Sequence, residues 1–138
     1  MAAKIPDALQ MRSLKYRGST DAAKDAVAQA LLAADRRSEA ILLFDGRPEA
    51  PVLQEERAWA IQTGVAFHLL GLSRLGVEIT PADWQACAAV AEKAERSMDA
   101  RQCYVLLEDE AGLERIAEHL PPSLRPVPTE PSEPAAGA

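Results

Sequence analysis

The chain has 138 residues, 15 basic and 21 acidic, for a net charge of −6; 48% of its residues are hydrophobic and only 4% aromatic. That is enough for one domain with its own core and too little for two. The acidity argues against a nucleic-acid binder, whose phosphate contacts need a basic surface, and no apolar run approaches the about 18 residues that mark a membrane span.

Residues 1–18 read as a basic arm, with Lys4, Arg12, Lys15 and Arg17 against Asp7 alone. Ile5, Ala8, Leu9 and Tyr16 suit a short helix packed on the body, and Arg12, Lys15 and Arg17 are candidate partner contacts. No apolar stretch of the signal-peptide kind occurs here, so the expected compartment is the cytoplasm. Residues 19–120 read as a helical domain, rich in Ala, Leu, Glu, Arg and Gln. No alternating strand pattern stands out.

Ser19 or Thr20 caps the first helix of this body, whose stripe is Ala23, Val27, Leu31 and Ala34. A short second helix starts near Arg37, carries Ala40, Leu43 and Phe44, and closes at Gly46. The pattern then predicts one long helix from Val52 to Leu75 with Ala58, Ile61, Val65, Leu69 and Leu72 along its main stripe. Trp59, Ala66, Phe67 and Leu70 widen its apolar surface to several sides, as in a central helix. Gly64 and Gly71 weaken it by about 1 kcal/mol each and suggest a close helix crossing, or a kink. Thr80-Pro81-Ala82-Asp83 is the clearest start signal, opening a helix with Trp84, Cys87, Ala88, Ala91 and Ala94 on one face. A fifth helix, Met98 to Leu107, turns Ala100, Cys103, Tyr104 and Leu107 inward. A sixth begins at Asp109 and presents Leu113, Ile116, Ala117 and Leu120. Residues 121–138 form a Pro-rich tail with little to bury, expected to be disordered. Its Arg125-x-x-Pro128-x-x-Pro131 spacing is common in such tails. The expected fold class is all-α, about six helices packed as antiparallel hairpins, either α-solenoid-like or an irregular bundle.

An internal match runs at a constant offset of 60: Ala34-Asp35-Arg36 with Ala94-Glu95-Arg96, Glu39-Ala40 with Asp99-Ala100, and Phe44 with Tyr104. A small residue after a turn lets two helices approach, and an aromatic one turn later fills the wedge between them. In Glu39-Ala40…Phe44 and Asp99-Ala100…Tyr104 the chain resembles the tetratricopeptide-like and broader α-solenoid repeat class. The resemblance spans residues 25–104 and implies helix pairs stacked side by side. It carries no binding residues over. The offset departs from the about 34-residue tetratricopeptide period, and the Trp-Leu-Gly signature is absent.

Catalytic and metal signatures are missing. His68 and His119 are far apart in sequence, and no HExxH, nucleophile elbow or phosphate loop occurs. The run Glu108-Asp109-Glu110 fits a helix cap rather than a calcium loop. Cys87 and Cys103 read as small core residues. No catalytic residue, metal ligand or cofactor is assigned. The reading is therefore a non-enzymatic protein–protein interaction module, an adaptor or assembly subunit. Its expected partner is a protein or a second copy of the chain, with no nucleic acid and no membrane insertion. Trp59, Phe67 and Leu70 are the candidate contact patch. The alternative is a small helical enzyme or ligand-binding protein with a site between helices near His68. The Ala- and Arg-rich usage points to a bacterial source.

Overall fold

The computed structural model describes residues 5–16 and 20–126, the side chains of residues 13–16 excepted. Among these residues there are eight α-helices and no strand, so the fold is all-α. The helices are α1 (Ala8–Tyr16), α2 (Asp21–Ala33), α3 (Arg37–Leu42), α4 (Pro51–Thr63), α5 (Ala66–Arg74), α6 (Pro81–Lys93), α7 (Ser97–Leu107) and α8 (Glu110–Ile116). The count exceeds six for two reasons. The basic arm holds α1, and the stretch read as one long helix is two.

The break is at Gly64. It ends α4 in the left-handed conformation, φ 73°, and α5 starts two residues later. A Cβ there would lie 2.7 Å from the Ala91 backbone nitrogen, so glycine serves both the turn and the close approach of α6. Gly71 has no such role; a Cβ on it would meet only the Ile41 Cδ1 methyl, at 3.4 Å. The break also rephases the apolar stripe. Ala58, expected inward, is exposed, and α4 buries Leu53, Glu56 and Ala60 instead.

Helices α2, α4 and α6 each have 13 residues and begin at Asp21, Pro51 and Pro81, thirty residues apart. Thr20 and Thr80 cap the first and third through their hydroxyls, and Thr80 with Asp83 forms a reciprocal capping box. Each helix ends alike. A residue with positive φ follows (Asp35, Gly64, Glu95), and the next N–H donates back to a fully buried carbonyl residue. These bonds are Arg36 to Leu31, Val65 to Ala60 and Arg96 to Ala91, at 2.8, 3.0 and 2.8 Å. This six-to-one bond turns the chain into the second helix of each pair. There Ala40, Leu69 and Ala100 take equivalent buried positions, followed by Leu43, Leu72 and Cys103. Phe44 and Tyr104 are buried one turn after Ala40 and Ala100.

The pairs are tied to one another. Helix α4 packs on α6, while α3, α5 and α7 touch in order. Arg57 on α4 makes a bidentate ion pair with Asp83 at the start of α6, the shortest contact 2.6 Å. Val65 gives α5 no side-chain cap; Asp99 of α7 supplies one, accepting the Ala66 N–H at 2.9 Å in the core. Helix α8, capped by Asp109 as its sequence suggests, closes the third pair. Tyr104 donates to Glu92 at 2.7 Å, and Arg115 binds both. Cys87 and Cys103 are buried between α6 and α7, and the neighbouring Cys87 together with burial pushes the Cys103 thiol far up, so it stays protonated. Of the expected disordered tail, residues 121–126 include a 3-10 turn whose Leu124 packs on the core; residues 127–138 lie outside the described residues. No helix among the described residues is long and apolar enough to cross a membrane.

Ala40 and Ala100 are 1% and 0% exposed. Replacing either with Leu is expected to overpack its site and lower stability by about 1–3 kcal/mol in chemical denaturation. Unchanged midpoints for both would contradict the close packing of the helix pairs.

Candidate functional site

The most chemically varied cleft lies between α3 and α5, over the C-terminal half of α4. It encloses about 520 Å³ and is walled by Ile41 and Leu42 on one side and Phe67, His68 and Gly71 on the other, with Trp59 beneath. A volume of this size suits one large side chain or a small ligand.

A buried ionic cluster underlies it. Glu56, 4% exposed, accepts from His68 Nε2 at 3.0 Å and from Arg37 Nη1 at 2.5 Å. The Arg37 guanidinium stacks 4.0 Å from the Trp59 ring centre, and the His68 ring meets Trp59 edge-on at 5.4 Å. Arg37 Nε is buried without a hydrogen-bond partner among the described residues; Asp35 Oδ1 stands 3.5 Å away. Burial depresses the His68 pKa from its ordinary 6.5; Glu56 pulls the other way, and Arg37 adds to the depression. The neutral ring, by this assignment, donates its Nε2–H to the Glu56 carboxylate. No group of three or more His, Cys, Asp or Glu among the described residues is placed to hold a metal ion.

The candidate contact residues do not form one site. Trp59 and Phe67 line the same cleft, but Arg37 covers Trp59, which is half-buried, while Phe67 is 52% exposed. Leu70 is half-buried against the core and outside the cleft. Arg12 lines a separate cleft of about 700 Å³ between α1 and α3. Lys15 is on α1 with its side chain outside the description, and Arg17 lies outside the described residues.

A different grouping emerges from exposure. Leu42, Phe67, Met98, Val105 and Leu106 are 41–52% exposed, and all lie on α3, α5 or α7, the second helices of the pairs. Among the described residues, Leu9 on α1 is the one other large hydrophobic so exposed. Because the second helices touch in order, these side chains share the outer side of one layer. Part of this was legible: Val105 and Leu106 fall off the inward stripe of their helix. Met98 falls off the same stripe; Leu42 carries no signal of its own, since the six residues of α3 give too few turns to fix its phase.

Comparison with protein families, curated proteins and solved structures finds no match to this chain. The site is therefore read from its own geometry.

Two outcomes follow. As pH falls below about 6.5, the unfolded chain takes up a proton that the folded His68 refuses, so stability drops with acidification. Thermal unfolding between about pH 7 and pH 5 should show this, and His68→Asn should flatten that part of the slope. Equal slopes would contradict the assignment. Gly71→Ala should raise stability by about 0.5–1 kcal/mol, because alanine favours the helix and its methyl makes only ordinary contact with Ile41. A loss on denaturation would contradict the open cleft floor.

Proposed function

We propose that the chain is a non-enzymatic protein-interaction module, an adaptor or assembly subunit, that binds through the outer face of α3, α5 and α7. The observation that carries this is that, among the described residues, every large hydrophobic so exposed except Leu9 of α1 lies on those helices. Burying them against another protein would remove apolar surface from water, and such patches mark partner sites. The resemblance to the tetratricopeptide-like and α-solenoid class supports the same reading. Three helix pairs thirty residues apart come near that class's about 34-residue spacing, with the pair α4–α5 lying between the two matched at offset 60. The cytoplasmic and bacterial setting read from the sequence belongs to this proposal.

The experiment is site-specific photocrosslinking in cells. A crosslinking side chain at position 67, 98 or 105 should give protein adducts. The same group at the exposed first-helix positions 54 and 58 should give none. Adducts at neither set, or equally at both, would refute the assigned face.

A second reading rests on the cleft above the Glu56–His68–Arg37 cluster, whose size and aromatic lining suit a small apolar ligand. A ligand that raises the thermal midpoint of the native chain and not of Trp59→Ala would favour it.

A further inference from the structure

We infer that the cleft between α3 and α5 is an anchor pocket for a tyrosine side chain of the partner protein, whose phenol O–H donates to His68 Nδ1. This rests on the protein-interaction reading and deepens it, because the cleft opens on the same face. Leu42 and Phe67, two of that face's exposed side chains, stand on its opposite walls.

The floor sets the chemistry. A carboxylate only accepts, so the neutral His68 ring donates its one N–H, at Nε2, to Glu56. Nδ1 is left with a bare lone pair and no donor among the described residues. Arg37 Nε is the one side-chain nitrogen or oxygen among them that is both unpartnered and closed to solvent. His68 Nδ1 is therefore open, although the side chain is only 5% exposed, and it opens onto the cleft that His68 lines. The ion pair decides the charge of the occupant. Glu56 already neutralises Arg37 at 2.5 Å, so an anion finds no unanswered cation in the floor, and the same guanidinium repels a cation. The occupant is a neutral hydrogen-bond donor. Any other apolar group would desolvate the Nδ1 lone pair without replacing its water, and is penalised for it. The walls decide the rest. Ile41, Leu42 and Phe67 are apolar and Trp59 lies beneath, so the body of the occupant is apolar as well. His68 lies deep, so the donor must lead. Tyrosine carries its O–H at the tip of the ring, tryptophan its N–H on the flank, and phenylalanine none. Tyrosine is also among the side chains that most often anchor protein interfaces. Gly71 keeps the space open, since a Cβ on it would point across the cleft at the Ile41 Cδ1 methyl, 3.4 Å away.

NMR titration of the full chain with N-acetyl-tyrosinamide, at concentrations up to about 20 mM as a single residue requires, tests this. The Gly71 and Phe67 backbone amides should shift, and the His68 Nδ1 resonance should move as it accepts the hydrogen bond. N-acetyl-O-methyltyrosinamide keeps the ring and loses the donor. It should bind about tenfold more weakly and leave the Nδ1 resonance unmoved. Equal affinity for the two probes, or binding that leaves Gly71 unperturbed, would overturn the inference. Gly71→Leu sends a side chain into the cleft without altering the Glu56 cluster, and should abolish binding while circular dichroism shows the fold intact. Unchanged binding in that variant would overturn the pocket. In cells the same substitution should deplete the photocrosslinked adducts from positions 98 and 105. Undiminished adducts would overturn the partner protein as the source of the tyrosine and leave the interaction face standing. Absence of adducts in the wild type would instead refute the face itself, whatever the probes do.

Discussion

The structure depends on a single turn made three times. After each 13-residue first helix, a residue enters the left-handed region, and the N–H beyond it bonds to the carbonyl of a fully buried residue, Leu31, Ala60 or Ala91. That bond satisfies a carbonyl the helix end would otherwise leave unpaired and reverses the chain within three residues. At Asp35 and Glu95 an ordinary residue accepts positive φ, at a cost of about 1 kcal/mol or more. At Gly64 no other residue fits, because the backbone of α6 presses on the turn from outside.

The layers follow from these turns. Equal turns send the second helices away in equivalent positions, where small or aliphatic residues (Ala40, Leu69, Ala100) face the first helices. Charge and capping then join pair to pair. Arg57 with Asp83 links α4 to α6, Asp99 caps α5 from α7, and Arg37 of α3 reaches Glu56 of α4. Burial alone would raise the Asp83 pKa. The hydrogen bonds from Arg57 and Thr80 outweigh it and hold the carboxyl below its ordinary value. The stability this link adds is therefore present near neutrality and lost in acid. With the core turned toward the first helices, Phe67, Met98 and Val105 stay exposed among the described residues, while Leu42 stands at the cleft between α3 and α1.

The sequence disclosed the parts governed by local rules. Thr80-Pro81 and Asp109 cap helices where they were read to do so, and the offset of 60 aligns two turns whose positive φ agrees within a degree, 59° at Asp35 and 60° at Glu95. The middle pair was hidden by its composition. Val65, His68 and Ser73 stand where the outer pairs have arginine, an acid and an aromatic, so no motif survives for comparison. The apolar residues around Gly64 also continue a helical period across the break. A period cannot register a turn of two residues when both flanking helices are apolar. Pro51 and Pro81, thirty apart and each opening a 13-residue helix, were the available clue. For the site, His68 was visible as a polar residue in an apolar run, but Glu56 and Arg37 were not. Their meeting depends on how α3 crosses α4, which no local pattern encodes.

Gly64→Ala puts the central claim to the most direct test, because the two architectures predict opposite signs. In one continuous helix from Val52 to Leu75, alanine would stabilise by about 1 kcal/mol. In the folded-back pair, the methyl group meets the Ala91 backbone and the residue must hold φ near 73°, so chemical denaturation should show a loss of about 2 kcal/mol or more. A gain in stability, or no change, would contradict the turn on which the rest of the structure depends.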